Sequence, residues 1–186
     1  VRVKYPRGGM PPVSILVSNH NSAIDPYLYG AVDVENGFIT SWPFKIPVYR
    51  IFMRLARYVN SEEGWDVVEK KSRHLPDNGC SIAVWPEGHR SRDGRLGRFK
   101  NGAFTLAVET GYPVVPVCIL GSGKVLPPGS RLFNRGKIRL IILDPCRPVE
   151  GLNHEQQVRE LRNRVEQKIK EVLQAHGHFN DCRIGD

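Results

Sequence analysis

The sequence has no apolar run that approaches the ~20 residues a membrane-spanning helix needs. It also shows no signal-peptide pattern. Paired cysteine spacings are missing too, so neither a zinc site nor a disulfide framework is indicated for Cys80, Cys118, Cys146 and Cys182. We therefore expect reduced thiols, buried at Cys80 and Cys118, no metal, and a reducing, cytoplasmic setting.

The chain has the composition of one soluble globular domain, with 186 residues of which 40% are hydrophobic and 25% charged. It begins with Val1 rather than Met, so we expect a piece of a longer protein, with room for an N-terminal membrane anchor before a single domain over 1–186. The net charge of +8 suits nucleic acid, an anionic membrane, an acidic carrier protein or a polyphosphate ligand. Nucleic acid is the weakest of these, because the basic residues match no known reader motif.

Short apolar strands alternate with helical stretches, which predicts an α/β layered domain with a mixed, largely parallel central sheet flanked by helices. We expect strands near 13–17, 37–40, 58–59, 80–85, 114–120 and 138–143. We expect helices near 26–32, 44–57, 64–74, 102–109 and 154–175. The last helix carries an apolar stripe that should dock on the body: Val158, Leu161, Val165, Ile169 and Leu173.

A first polar cluster follows the first apolar strand, where His20 precedes Asp25 by five positions. Five residues on one helix would put the two side chains on different faces, so the pair is better placed on a turn. Asp25-Pro26 is typical of a helix start, with Asp as the N-cap. This arrangement can hold an imidazole by one nitrogen and leave the other free to take a proton. The alternative is a plain loop histidine beside a helix cap.

A second polar cluster, Pro86-Glu87-Gly88-His89-Arg90-Ser91, follows the strongest strand. In open α/β sheets, ligands bind just beyond the carboxyl ends of the strands. Arg90 could fork onto a phosphate or carboxylate, and Gly88 lets a ligand approach the main chain. A surface ion pair between Glu87 and Arg90 is the alternative. Two clusters after two strands favour one shared site.

These two clusters resemble the glycerolipid acyltransferase family, whose best-known members are the 1-acylglycerol-3-phosphate acyltransferases. His20 through Asp25 matches the family's His-x4-Asp motif, and residues 85–91 are similar to its Phe-Pro-Glu-Gly-Thr-Arg-Ser motif. The resemblance continues through 92–94, 99–103 and 111–117, and it covers roughly residues 13–145. The motifs are specific together, because their order and spacing agree.

The resemblance implies transfer of a fatty acyl group from an acyl thioester, on coenzyme A or acyl carrier protein, to a lyso-lipid hydroxyl in phospholipid biosynthesis. His20 would be the general base, and Asp25 would orient its imidazole. Glu87, Gly88 and Arg90, with Ser91 in the same motif, would bind the acceptor, 1-acylglycerol-3-phosphate. No metal or other cofactor is expected, and the enzyme would work at the cytoplasmic face of a membrane.

One departure from the family bears on the acceptor. An arginine that helps bind the acceptor phosphate usually follows a short strand between the two motifs, whereas 58–63 here hold no arginine and two acidic residues, Glu62 and Glu63. A lyso-lipid without a phosphate head, such as a lyso-ornithine lipid, is therefore an alternative acceptor. A non-catalytic lipid-binding module of the same fold is the alternative from another class.

Two basic regions are candidates for contacts with anionic partners. The loop basic residues Arg92, Arg95, Arg98 and Lys100 could contact an anionic membrane, coenzyme A or acyl carrier protein. Residues 45–57 mix apolar and basic side chains in the pattern of an amphipathic helix that lies on a membrane. The alternative is that this helix packs on the core with a basic edge in water.

Overall fold

The computed structural model describes residues 1–55, 58–91, 93–130 and 132–177, apart from the side chains of residues 42, 65 and 66. Across these residues, seven strands form one sheet in the order β1-β7-β6-β2-β5-β3-β4. Every neighbouring pair is parallel except β6 and β7. The strands are β1 (Arg2–Lys4), β2 (Ile15–Ser18), β3 (Asn36–Thr40), β4 (Val59–Asn60), β5 (Ser81–Val84), β6 (Val114–Leu120) and β7 (Arg139–Ile142).

Helices follow most strands, as a largely parallel sheet requires. They are α1 (Asp25–Leu28), α2 (Pro47–Leu55), α3 (Trp65–Asp77), α4 (Gly102–Thr110), α5 (Ser122–Val125) and α6 (His154–Ala175). Single 3-10 turns continue α1 over Tyr29–Ala31 and precede α2 over Trp42–Lys45. The layered α/β fold predicted from the sequence is thereby confirmed, with β1 and α5 as additions that the apolar pattern did not indicate.

The core lies on both faces of the sheet because successive strand residues point to opposite faces. Ile15 and Val17 of β2 pack into a cluster that includes residues of α3, α4 and α6. Leu16, between them, packs into a second cluster with Tyr29 and Trp85. The predicted stripe of α6 is confirmed, since each of its five residues is buried against the first cluster: Val158, Leu161, Val165, Ile169 and Leu173.

The strand directions bring the carboxyl ends of most strands to one edge of the sheet. Because β2, β3, β4, β5 and β6 are parallel, their carboxyl ends lie along this edge. The antiparallel strand β7 begins there, with Arg139 paired to Leu120 of β6 on one side and to Arg2 of β1 on the other. His20 follows β2 and Glu87 follows β5 at the same edge.

Two further expectations from the sequence concern the cysteine thiols and membrane-spanning helices. Cys118 is buried as predicted, and burial raises the pKa of its thiol to about 12. Cys80 was also expected to be buried but is only half-buried, and partial burial raises the pKa of its thiol. Both are free thiols, as is Cys146, whereas Cys182 lies outside the described residues. No helix in the described part of the chain combines the length and apolar character needed to cross a bilayer.

Candidate active site

The His20 imidazole is held by one nitrogen and open at the other. Nδ1 lies 2.8 Å from Oδ2 of Asp25, whose side chain is fully buried, while 17% of the His20 side chain is exposed. A carboxylate can only accept here, so Nδ1 carries the proton and donates it, which leaves Nε2 with a free lone pair. The Trp85 ring, 5.2 Å away between centroids, packs beside the imidazole. Such an arrangement allows Nε2 to take a proton, as a general base does, and that role of His20 stays a prediction.

Asp25 is bound to the loop before it and does not cap the helix after it. Ile24 occupies the N-cap position and Asp25 is the first helical residue, so the predicted N-cap role is wrong. Instead, Oδ2 accepts the backbone N–H of Asn21 at 2.8 Å and of Ser22 at 2.9 Å. These hydrogen bonds stabilise the 20–25 turn and hold Oδ2 of Asp25 in position to contact Nδ1 of His20.

Glu87 connects the two motifs through the main chain. Its Oε1 accepts the backbone N–H of His20 at 2.9 Å, and its Oε2 accepts the N–H of Gly97 at 2.7 Å. Burial raises the pKa of the carboxyl group, and the two N–H donors oppose part of that rise. Only 2% of Glu87 is exposed, so little of the carboxylate surface remains for a ligand. Among the described ion pairs, none joins Glu87 to Arg90.

Ser91 binds the main chain of His20 on the other side of its Cα. Its N–H donates to the carbonyl oxygen of His20 at 2.8 Å. Its Oγ donates to Oδ1 of Asp93 at 3.1 Å, and that oxygen also accepts the N–H of Arg95 at 3.0 Å. Both polar groups of the His20 main chain are thus bound by the loop after β5, at Glu87 and at Ser91.

The imidazole opens on a groove of about 1880 Å³ at the carboxyl edge of the sheet. His20, Glu87, Gly88, Arg90 and Ser91 all line it, so five of the six predicted site residues come together there. Asp25 lies behind His20. Gly88 has φ +76°, a backbone conformation that favours glycine, and a Cβ there would meet only the flexible end of the Lys100 side chain. Whether Glu87, Gly88, Arg90 and Ser91 bind substrate stays a prediction.

The walls of this groove differ in charge. Arg90, Arg95 and Lys100 stand on the side of the loop after β5. Glu62 and Glu69 stand on the side of β4 and α3, each paired with a basic residue of its own. Arg92, named with the loop basic residues, and residues 56–57 at the end of the predicted amphipathic helix lie outside the described residues.

Two contributors to the site carry no motif signal of their own. Trp85 stands in the sequence only as the aromatic residue that opens the second motif, with no indication that it meets His20, and Gly97 stands only as one glycine in an arginine-rich loop. Their roles depend on contacts across the fold, between Trp85 and His20 and between Gly97 and Glu87. Within the described ranges, no cluster of three or more His, Cys, Asp or Glu side chains could hold a metal ion.

Residues 11–120, which contain both motifs, match the family model described as "Acyltransferase". The chain belongs to this acyltransferase family. The match covers more than half of the chain and includes every residue of the site described above.

Named members of the family are similar over most of the chain. A 1-acyl-sn-glycerol-3-phosphate acyltransferase of Brassica napus chloroplasts is 36% identical over 85% of this chain and 47% of its own length. The corresponding protein of Arabidopsis thaliana is 34% identical over 84% of this chain and 45% of its own. The chain thus spans about half the length of these curated relatives.

A solved structure shows the same acyltransferase fold. The 1-acyl-sn-glycerophosphate acyltransferase PlsC from Thermotoga maritima superposes with a TM-score of 0.74 at 29% sequence identity. The alignment covers 92% of this chain and 71% of that chain. The alignment is longer than the stretch matched by the family model, so the shared fold extends beyond residues 11–120.

Proposed function

We propose that this chain is the catalytic domain of an O-acyltransferase that moves a fatty acyl group from an acyl thioester to the hydroxyl of a lyso-lipid. The observation that supports this most is the His20–Asp25 pair, with Nε2 of His20 free at the wall of a large groove that also holds Arg90. Family membership makes acyl transfer the reaction such a base would serve.

In the proposed reaction, His20 alone takes and returns the proton that moves from the acceptor hydroxyl to the leaving thiolate. Nε2 takes the proton of the acceptor hydroxyl, and the oxygen attacks the thioester carbonyl carbon. The C–S bond then breaks, and the leaving thiolate takes the proton back from the imidazolium. Asp25 stabilises that imidazolium while its charge exists. Neither step calls for a Lewis acid, so we propose the thioester as the only co-substrate.

We propose 1-acylglycerol-3-phosphate as the acceptor, because the matched relatives carry that substrate in their names and basic residues line the groove. Arg90 is exposed and could form paired hydrogen bonds with a phosphate. The second acceptor class is a lyso-lipid without a phosphate head, such as a lyso-ornithine lipid, whose amino group carries a positive charge. Glu62 and Glu69 line the groove, but each is paired with a basic residue of the chain, so the basic residues on the other side favour the phosphate.

We further propose that α2 rests on an anionic membrane, which would supply the lyso-lipid. None of the described side chains of α2 is buried, and large apolar ones are exposed along it: Val48, Tyr49, Ile51, Phe52 and Leu55. Arg50 and Arg54 lie one turn apart on the remaining face. This exposure favours the membrane interpretation over the alternative in which the helix packs on the core.

The activity is tested with labelled acyl-CoA and acyl carrier protein thioesters offered to a panel of lyso-lipids. We expect transfer to 1-acylglycerol-3-phosphate and a loss of about 10²–10⁴-fold in His20→Ala. His154→Ala, at the start of the distant helix α6, is the matched control and should retain full turnover. Equal turnover by wild type and His20→Ala would refute the catalytic assignment. Binding of lyso-lipid without transfer would favour the non-catalytic lipid-binding module. Preference for a lyso-lipid with a cationic head group would replace 1-acylglycerol-3-phosphate as the proposed acceptor.

Membrane binding is tested by co-sedimentation with vesicles that contain anionic phospholipid. Phe52→Asp and Ile51→Asp change residues that are 59% and 60% exposed, so the fold should persist while vesicle binding falls. Leu132→Asp places the same change on a loop residue that is 78% exposed and serves as the control. Undiminished binding in the α2 variants would remove α2 from the membrane contact.

A further inference from the structure

A second groove lies along the other half of the same sheet edge. Its volume is about 840 Å³, and it is bordered by the carboxyl end of β6 and by the strands β7 and β1, which begin there. Its lining comes from the N-terminal segment, the two motif loops, the β6–β7 connection and the end of α6, and it includes Arg2, Asn21, Ser91, Lys124, Lys137 and Arg139.

The charge of this groove is of one sign. Arg2, Lys124, Lys137 and Arg139 line it, and none of its lining residues in the described part of the chain is Asp or Glu. This differs from the large groove, where Glu62, Glu69 and Asp93 stand among the basic residues. Because a cleft lined by one charge sign concentrates its field, the second groove is suited to a ligand with several negative charges.

Main chain forms part of the surface of the second groove, since Gly121, Gly123 and Gly136 line it. Gly121 has φ +85°, and a Cβ there would lie 2.3 Å from the carbonyl oxygen of Lys137. A Cβ on Gly136 would lie 2.7 Å from Cγ2 of Val125. These contacts show that Gly121 and Gly136 pack closely against neighbouring chain segments. Because the glycines that line the groove carry no side chain, a ligand can approach the main chain there.

The two grooves meet beside the general base. Ser91 and Pro128 line both of them. Ser91 is hydrogen-bonded to the main chain of His20, and Asn21, the next residue, lines the second groove. A ligand in the second groove can therefore extend past Ser91 toward the imidazole while an acceptor occupies the large groove.

We propose that the second groove binds the phosphate-bearing end of the acyl donor. This inference rests on the proposed acyl transfer, which needs a thioester and a hydroxyl to meet at His20 from separate sites. The phosphate next to pantetheine is common to coenzyme A and to acyl carrier protein, and coenzyme A adds further phosphates. The pantetheine arm would pass Ser91, so that the thioester carbonyl reaches the hydroxyl activated by His20.

The test uses the double variant Lys137→Gln/Arg139→Gln. Both residues are exposed, so the fold should be retained. Arg159→Gln/Lys170→Gln removes the same charge from exposed positions of α6 and is the matched control. We expect the KM for acyl-CoA to rise about tenfold or more in the first variant, because charge-assisted hydrogen bonds to phosphate are lost. The kcat and the KM for the acceptor should stay within about twofold, since the base and the large groove are untouched.

Direct binding separates this site from the proposed reaction. Free coenzyme A is titrated into wild type and both variants by calorimetry without acceptor, and 3′-dephospho-coenzyme A and holo acyl carrier protein are titrated in parallel. Binding that weakens only in Lys137→Gln/Arg139→Gln supports the donor site even if no acceptor is ever acylated. Binding of the carrier protein alone would identify it as the source of the phosphate.

Two results would overturn the proposal. Unchanged donor affinity and donor KM in Lys137→Gln/Arg139→Gln would remove the second groove from donor binding. A rise confined to the acceptor KM would assign the groove to the acceptor instead. In either case the His20→Ala result stands independently, so failure of the donor site is distinguishable from failure of acyl transfer.

Discussion

Replacing Glu87 with Gln removes one negative charge and one hydrogen-bond acceptor from the contact between the two motif loops. A carboxylate accepts from the N–H groups of both His20 and Gly97. An amide has one oxygen, so its NH2 group must face one of those donors. The substitution is nearly isosteric, and its effect should therefore come from the lost contact rather than from a cavity.

The magnitude follows from the two contacts. A hydrogen bond to a charged group contributes about 1.5–3 kcal/mol, and a buried N–H left without a partner costs about 1–3 kcal/mol. If the lost contact makes the correctly placed conformation of His20 about 3 kcal/mol less favourable, kcat drops by about 10²-fold. We expect a loss of about 10- to 100-fold in kcat, because displacement of a catalytic group by up to about 1 Å has effects of this size.

The assay is steady-state acyl transfer with the acceptor concentration varied. Because 2% of Glu87 is exposed and both its oxygens are bound to main chain, the KM for the acceptor should change by less than about threefold. Glu160→Gln, in an ion pair of 3.2 Å with Arg164 on α6, is the matched control and should have wild-type kinetics. Thermal melting of Glu87→Gln and Glu87→Ala separates a displaced base from an unfolded chain.

An effect on the acceptor KM rather than on kcat would refute this reasoning. An acceptor KM raised more than about tenfold at unchanged kcat would show that Glu87 binds the acceptor, as the family resemblance implies. Equal kinetics in wild type and Glu87→Gln would show that the position of His20 does not depend on the bridge.

Four further outcomes are expected. A Cβ on Gly97 would lie 2.9 Å from Oε2 of Glu87, so Gly97→Ala should lower kcat as Glu87→Gln does, and a wild-type kcat would contradict the bridge. Asp25→Asn keeps an oxygen for the turn but loses the charge beside His20, so kcat should fall about 10²–10⁴-fold at near-normal melting temperature. Ile169 is fully buried, so Ile169→Ala should cost about 2–5 kcal/mol in denaturant unfolding with little change in kcat. Burial raises the pKa of Glu87 above its unfolded value, so ionisation costs folding free energy: as the pH rises above the ordinary carboxyl pKa of about 4.3, the unfolding free energy of wild type should fall relative to Glu87→Gln, and a constant difference would contradict this.

The elements predicted best from the sequence are those with a continuous apolar run or a regularly repeating apolar pattern. β6 was predicted over 114–120 and occupies Val114–Leu120, and the helix predicted over 154–175 occupies His154–Ala175. Both are long, with continuous or periodic apolar positions. β1 has only three residues, with partly exposed side chains, and pairs with β7 far along the chain, so its apolar pattern carries no local signal.

Within the site, the motif residues could be identified from the sequence, but their contacts could not. The spacing of His20 and Asp25 predicted a turn that holds the imidazole, and the structure has that turn. The Asp25-Pro26 pair suggested an N-cap at Asp25, because an aspartate before a proline is typical of a helix start whether or not its carboxylate also orients a histidine. The contact of Glu87 with the His20 main chain joins positions 67 residues apart, and it depends on the pairing of β2 with β5.

The double attachment of the His20 main chain also limits how the second motif can vary in length. Glu87 binds the N–H of His20 and Ser91 binds its C=O, so the segment between Glu87 and Ser91 must span the backbone of one residue. An inserted or deleted residue inside 88–90 would release one of the two bonds and turn the imidazole away from the groove. Insertions after Gly97, by contrast, lie outside both attachments. Loop grafts between family members should therefore keep the segment from Glu87 to Ser91 at constant length and place any new substrate contacts beyond it.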